Sequence, residues 1–299
     1  MNIVPMAATV RLDASSGGEP AARIDRLRRQ LCALEAATGL AGDCGAPLAL
    51  GHPVIDGALG GGLSAGALHE VAAAREAETA AASGFALALA ARRTSWRRAS
   101  TAIGNSCDAR AHNDERAVSV TSGRHVLWIA EDLSLAENGA PYGPGLDGIG
   151  IAPERLITVA AARERDVLWA MEEALRCRAV GMVIGEMRPR DIDQVATRRL
   201  ALAAAAGNAL GLILRTAPDD GPSAAATRWI VGAAPSLNAE RGHGVGPPRL
   251  LARLVRNRRG HLGAWIVEWN SVEQRFELAT HSEPVAGSAF DRPHRTAVA

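Results

Sequence analysis

The most telling absence from this sequence of 299 residues is lysine, since all 33 basic side chains are arginines. Any site chemistry that needs a lysine from this chain, such as a lysine on the phosphates of a nucleotide, is therefore excluded. Cysteine is scarce as well, with no C-x-x-C pair and no histidine at a zinc-ligand spacing. We expect reduced thiols, rather than disulfides or a zinc site, at Cys32, Cys44, Cys107 and Cys177.

A strong net charge and long apolar runs are also missing. The formal net charge of +1 at pH 7 argues against a protein that coats nucleic acid, although it leaves a local basic patch open. No apolar run is long enough to span a membrane, and no signal peptide is expected at the start. We therefore expect a cytoplasmic protein. Its hydrophobic share of 47% is that of an ordinary globular chain.

The stretch from 50 to 93 carries the most distinctive motif of the chain. It contains a D-x-A-L-G-G-G-L run followed by a glycine and a glutamate, at Asp56, Ala58, Leu59, Gly60, Gly61, Gly62, Leu63, Gly66 and Glu70. A strand is predicted from Ala67 to Val71, then a loop, then a buried helix from Phe85 to Arg93. This is the layout of a phosphate-binding loop at a helix N-terminus. The motif resembles the ATPase core of the RecA family.

The loop that follows this strand lacks the residues that hold a nucleotide. A P-loop reads G-x-x-x-x-G-K-[ST], whereas 72 to 83 reads AAAREAETAAAS, and Gly84 is followed by Phe85. Glu76 and Glu78 would repel a phosphate brought to the start of the helix. The sequence therefore predicts the scaffold of a nucleotide site without its chemistry, and hence no cofactor, no catalytic residue and no metal site.

Two predicted central strands end in acids. HVLWIAE ends at Glu131 and VGMVIGE at Glu186. The RecA resemblance implies that the first acid orients the attacking water and that the second holds magnesium. Without a loop hydroxyl or a bound phosphate, one glutamate would hold a metal only weakly. We expect a vestigial or structural role for Glu131.

An amphipathic helix is predicted before the core. Its apolar residues recur at spacings of three and four, and they are Ile24, Leu27, Leu31 and Leu34. One interpretation is a helix packed on its own core. The other is a docking face for a partner or for a second copy of the chain, as the RecA resemblance implies.

The densest basic cluster lies in a predicted strand and turn from 249 to 260. It consists of Arg253, Arg256, Arg258 and Arg259. One interpretation is an exposed edge strand guarded by charge. The other is a contact for DNA or for an acidic partner.

The order of predicted elements indicates an α/β fold, RecA-like and doubly wound, with a mostly parallel sheet and antiparallel C-terminal strands. We predict a disordered N-terminus at 1–20, the helix at 21–39 and the core at 40–281. An exposed insertion is expected at 94–123 and a flexible tail at 282–299.

A RecA-like core with a helix before it and no P-loop lysine resembles the ImuA family of SOS-induced mutagenesis proteins. This resemblance implies a non-enzymatic accessory role in DNA damage repair by translesion synthesis. The partner it implies is an ImuB-type, Y-family polymerase-like protein, with an error-prone replicative-type polymerase reached indirectly and with contacts to RecA and DNA. Two alternatives stay open: a SulA-like cell-division inhibitor that acts by binding a protein, and a RecA/RadA-type DNA-dependent ATPase.

Overall fold

The computed structural model describes residues 46–103, 125–177, 179–188, 192–236 and 246–279. The predicted disordered N-terminus, the helix at 21–39, the greater part of the insertion and the C-terminal tail lie outside these residues. The same holds for the predicted docking face at Ile24, Leu27, Leu31 and Leu34, which therefore stays a prediction.

The described strands form one nine-stranded sheet in the order β3-β2-β4-β5-β1-β6-β7-β8-β9. Strands β1 to β6 pair in parallel, and β6 to β9 pair as an antiparallel meander. This confirms the predicted fold class. The strands are β1 Leu68–Ala73, β2 His125–Glu131, β3 Leu156–Ala161, β4 Val180–Met187, β5 Leu210–Arg215, β6 Thr227–Ala234, β7 Arg249–Asn257, β8 Gly263–Asn270 and β9 Arg275–Leu278.

Helices cover both faces of the parallel part of the sheet. The described helices are α1 Pro53–Leu59, α2 Thr79–Ile103, α3 Asp132–Asn138, α4 Gly143–Ile149, α5 Glu164–Arg176 and α6 Gln194–Gly207. Helices α1, α2 and α4 contribute to the core on one face, and α5 and α6 to the core on the other. On the first face, Phe85 of α2 packs against Trp229 and Phe276, with ring centroids 5.4 and 5.1 Å apart. The antiparallel strands are thereby joined to the same core.

Helix α2 is longer at both ends than the sequence pattern indicated. It begins at Thr79 rather than Phe85, and its backbone continues to Ile103, ten residues past Arg93. The predicted insertion therefore does not begin at 94. Alanine forms helix in the absence of an apolar period, because it has the highest intrinsic helix propensity. The pattern of apolar residues was consequently a poor guide to both ends of this helix.

The D-x-A-L-G-G-G-L motif forms a backbone turn that joins α1 to the sheet. Asp56 accepts hydrogen bonds from the backbone N–H groups of Leu50 and Gly51, at 2.6 and 3.0 Å. The three glycines all have positive φ angles of 74°, 110° and 130°. At Gly62 a Cβ would collide with the Leu48 carbonyl, so only glycine fits there. The motif is thus explained by structure, without any bound ligand.

Candidate functional site

The turn between β1 and α2 is where a phosphate-binding loop would lie. It is only five residues long, from 74 to 78, and its last three residues form a 3₁₀ turn. Within it, Arg75 donates from Nη2 to Glu78 Oε1 at 2.9 Å and from Nε to Oε2 at 3.3 Å. The start of α2 is therefore flanked by an internal ion pair.

Glu78 joins this turn to the neighbouring strand β6. Its carboxylate lies against Gly232, where any Cβ would press on it. The hydrogen bonds from Arg75 lower the pKa of Glu78, so the carboxylate stays charged at neutral pH. A negative charge thus lies directly before the helix N-terminus that would otherwise attract an anion.

Glu186, at the position where the RecA resemblance implies a magnesium ligand, is buried and fully engaged. Its Oε2 accepts from Trp128 Nε1 at 3.1 Å, and its Oε1 accepts from Asn138 Nδ2 at 2.9 Å. The side chain is only 2% exposed. These bonds tie α3 to strands β2 and β4. The arrangement is that of a structural carboxylate, with both oxygens held by neutral donors.

Glu131 ends β2 and precedes α3 as its N-cap residue, but its side chain makes no capping hydrogen bond. It is half-exposed. Over the described ranges, no group of three or more His, Cys, Asp or Glu side chains is placed to hold a metal ion.

A buried ion network joins the middle of β1 to the end of β5 and the start of β6, which pair with it on either side. Glu70, which is 1% exposed, accepts from Arg228 Nε at 2.6 Å and from the Ser223 hydroxyl at 2.6 Å. Arg215, also buried, places Nη1 at 3.1 Å from Asp219 Oδ2 and Nη2 at 3.9 Å from Glu70 Oε1. The network fixes the loop from 216 to 226 to the sheet.

Arg215 is the least satisfied member of this network. Its Nε and Nη2 atoms are buried and have no hydrogen-bond partner among the residues that the structure describes. It lines a small cleft, together with Glu70, Ala72, Pro218, Asp219, Asp220, Arg228 and Ile230. Charges of both signs line this cleft, so it favours neither an anion nor a cation.

His69 lies on the opposite face of β1 and is fully buried. Its Nε2 donates to the Ser64 carbonyl at 3.0 Å, because a carbonyl oxygen can only accept. Nδ1 therefore accepts from the Thr227 hydroxyl at 2.8 Å, and that hydroxyl in turn accepts from Trp229 Nε1 at 3.2 Å. Burial, with a smaller contribution from the charge of Arg259, lowers the pKa of His69 to about 4.

The basic cluster predicted from the sequence is divided by the structure. Arg253 and Arg256 lie on the face of β7 opposite the aromatic core, and Arg258 reaches the same side to donate to the Ser223 carbonyl at 3.0 Å. Arg259 instead donates to the Ser64 hydroxyl at 3.2 Å, beside His69. The edge-strand interpretation is wrong, because β7 pairs with β6 on one side and with β8 on the other.

Known proteins resemble this chain in sequence and in structure. No protein-family model matches the sequence. Protein ImuA of Caulobacter vibrioides, from strain NA1000 / CB15N and from strain ATCC 19089 / CIP 103742 / CB 15, is 32% identical over 234 residues. That match covers 74% of this chain and 82% of the relative. The chain belongs to the ImuA family.

The crystal structure of the RadB recombinase matches this ImuA family member with a TM-score of 0.46 and 13% sequence identity. The match covers 78% of this chain and 100% of that chain. No helix in the described ranges of this ImuA family member is long and apolar enough to cross a membrane.

The buried network is the feature of this ImuA family member that sequence reasoning missed. Glu70 was noted only as part of the glycine-rich motif. The signal was nevertheless present, since the strand LHEVAA places a histidine and a glutamate between apolar residues, and LGLILR ends in an arginine. A charged side chain within an otherwise buried strand needs a partner of opposite charge.

Proposed function

We propose that this member of the ImuA family is a non-enzymatic accessory protein of SOS-induced mutagenesis and translesion DNA synthesis in the cytoplasm. It acts by binding an ImuB-type, Y-family polymerase-like protein, and through it works with an error-prone replicative-type polymerase. Membership of the family supports the pathway. The Arg75–Glu78 pair before α2 is the observation that supports a role without catalysis.

A nucleotide would find little to bind at this turn. Phosphate binding there requires free backbone N–H groups, a lysine on the terminal phosphates and a hydroxyl that holds magnesium. The chain has no lysine, and Glu78 places a carboxylate beside the helix N-terminus. Glu186, the remaining candidate for magnesium, already uses both oxygens as hydrogen-bond acceptors.

We predict that the protein neither binds nor hydrolyses ATP. Isothermal titration of the full chain with ATP and magnesium is expected to give no saturable heat, and phosphate release is expected to match a buffer blank. The physical reason is the repulsion by Glu78 in a turn that supplies no compensating positive side chain other than Arg75, which Glu78 already engages. A micromolar dissociation constant that is lost in Glu186→Ala would contradict this prediction.

A second prediction concerns the partner. The apolar face formed by Ile24, Leu27, Leu31 and Leu34 is proposed as the docking surface, for the polymerase-like protein or for a second copy. The double variant Leu27→Asp with Leu31→Asp is expected to lose co-purification with the polymerase-like protein encoded by the same genome. Its melting temperature should stay close to that of the wild type, because the face would then belong to the interface rather than to the core.

The matched control places substitutions on the other side of the predicted helix. Arg26→Ala with Arg29→Ala should keep the association, because these positions lie opposite the apolar face at 3.6 residues per turn. If the leucine variant instead melts well below the wild type, the helix packs on its own core. If the chain captures a cell-division protein and not the polymerase-like protein, the SulA-like alternative replaces the proposal.

A further inference from the structure

The outer face of strands β6 to β8 is a sheet surface that α5 and α6 leave open. Those two helices pack mainly against β1 to β5. On the inner face, Trp229, Leu254 and Val267 are buried in the core. On the outer face, Leu251 and Arg253 are exposed to solvent.

A β-bulge in β7 gathers arginines on this open face. Arg256 pairs with Arg228, whereas Leu254 pairs with the next residue of β6, Trp229, so that one residue of β7 is left without a partner. In a regular strand, residues 253 and 256 would point to opposite faces, since side chains alternate. The extra residue of the bulge places both arginines on the same face. Together with Arg258, which reaches the adjoining loop, they form what we call the arginine face: Arg228, Arg253, Arg256 and Arg258.

The arginine face carries more positive than negative charge. Arg228 is neutralised by Glu70 at 2.6 Å, but within the described residues Arg253, Arg256 and Arg258 form no ion pair. Arg256 is half-buried, and burial, followed by the charges of Arg258 and Arg228, lowers its pKa. Like charges on paired strands destabilise a sheet. An anion brought to this face would therefore relieve an existing repulsion.

Nearby carboxylates reduce this excess only in part. Among the acids that line the adjoining cleft, Glu70 is paired with Arg228 and Asp219 with Arg215. Asp220 is the remaining acid of the cleft, and its single negative charge is smaller than the combined positive charge of Arg253, Arg256 and Arg258. The local balance remains positive on a chain whose formal net charge is only +1.

We propose that the arginine face binds the phosphate backbone of nucleic acid without reading its sequence. An acidic protein surface fits less well, because protein interfaces need large apolar side chains at their centre. On the outer face of these strands Leu251 is the exposed large apolar side chain, and Ile230 and Ile266 beside it are half-buried, which leaves arginines as most of the exposed surface. Guanidinium groups suit phosphate oxygens, which they can bind through two parallel hydrogen bonds. This inference stands on the sheet geometry and does not depend on the proposed partner.

The test uses the fact that Arg253, Arg256 and Arg258 lie on the outer face of the sheet, whereas Arg259, from the same basic run, lies on the other side beside His69. Fluorescence anisotropy would follow the binding of the full chain to a labelled single strand, and to a duplex of equal length, across a salt series. Three phosphate contacts predict a slope of log K against log salt of about −2 on the single strand and about −3 on the duplex. Comparing the affinity for the single strand with the affinity for the duplex shows which form of DNA the arginine face prefers.

The triple variant Arg253→Gln, Arg256→Gln, Arg258→Gln is expected to lose most of this slope and about tenfold or more in affinity at low salt. The corresponding triple substitution by lysine keeps the charge and should retain the slope, which separates charge loss from misfolding. The matched control is Arg259→Gln, from the same basic run but on the other face, and it should bind as the wild type does. The proposal is overturned if the wild type shows no salt-dependent binding, or if Arg259→Gln loses as much affinity as the triple glutamine variant.

Discussion

Replacement of Glu70 by alanine is expected to lower the free energy of unfolding by about 3–5 kcal/mol, a large part of the stability of a typical domain. The carboxylate is 1% exposed and accepts short hydrogen bonds from Arg228 and from Ser223. Its removal would leave the buried Arg228 without its carboxylate partner and beside Arg215, whose remaining partner would be Asp219. An uncompensated buried charge is among the most destabilising changes that a single substitution can cause.

Urea denaturation followed by circular dichroism measures this effect, and two controls sharpen it. Glu173→Ala removes an exposed carboxylate that also pairs with an arginine, Arg176, and should cost at most about 1 kcal/mol. Arg215→Met removes the poorly satisfied side of the network and should cost clearly less than Glu70→Ala, because two of its nitrogens already lack partners. A loss at Glu70 no larger than that at Glu173 would contradict the prediction.

The central strands could be read from the sequence because their signal is local. HVLWIAE is β2 over the predicted residues, and VGMVIGE is β4 with one residue more at its end. Continuous apolar runs of this length are typical of parallel strands that are covered on both faces. The apolar period of Val167, Leu168, Met171 and Leu175 likewise predicts a helix from Glu164 to Arg178, and α5 begins at Glu164 and ends two residues earlier, at Arg176.

Features that depend on the pairing of strands distant in the chain could not be predicted from the sequence. One of the two interpretations of the arginine-rich strand treated its charge as protection of an exposed edge. In the structure β8 covers that edge of β7. The bulge that unites Arg253 with Arg256 is equally invisible in sequence, since it is defined by the register with Arg228 and Trp229 on another strand.

The boundaries of the loop at the predicted nucleotide site were also wrong. The prediction that this loop has no lysine to bind a phosphate was made from the sequence alone. The absence of lysine is a fact of composition and needed no structure. That Glu78 lies against Gly232 of β6 is a tertiary fact, because β6 follows β1 by about 150 residues in the chain. Sequence reasoning therefore identified what the site lacks, and the structure identified what stands in its place.

Mild acid is expected to destabilise the protein through His69. The pKa of this side chain is lowered from its ordinary value of 6.5 to about 4, chiefly by burial. Between these two values the unfolded chain binds a proton that the folded chain does not, so stability falls as the pH falls from 6.5 towards 4. A difference of this size corresponds to about 3 kcal/mol once the pH is below both values. Above pH 6.5 His69 is neutral in both states and contributes no pH dependence.

The measurement is the free energy of unfolding in urea at a series of pH values from 7.5 to about 4.5. His69→Gln should be less stable than the wild type at pH 7.5, because it disturbs the hydrogen bonds with Ser64 and Thr227. The difference in free energy of unfolding between this variant and the wild type should then shrink as the pH falls, because the variant has no imidazole to protonate on unfolding.

His261→Gln, at an exposed position, is the matched control and should follow the wild-type curve. Carboxylates that titrate near pH 4 affect all three proteins alike and cancel in the differences. A difference between wild type and His69→Gln that stays constant from pH 7.5 to 4.5 would contradict a lowered pKa for His69, because only a pKa that differs between the folded and unfolded states makes stability depend on pH.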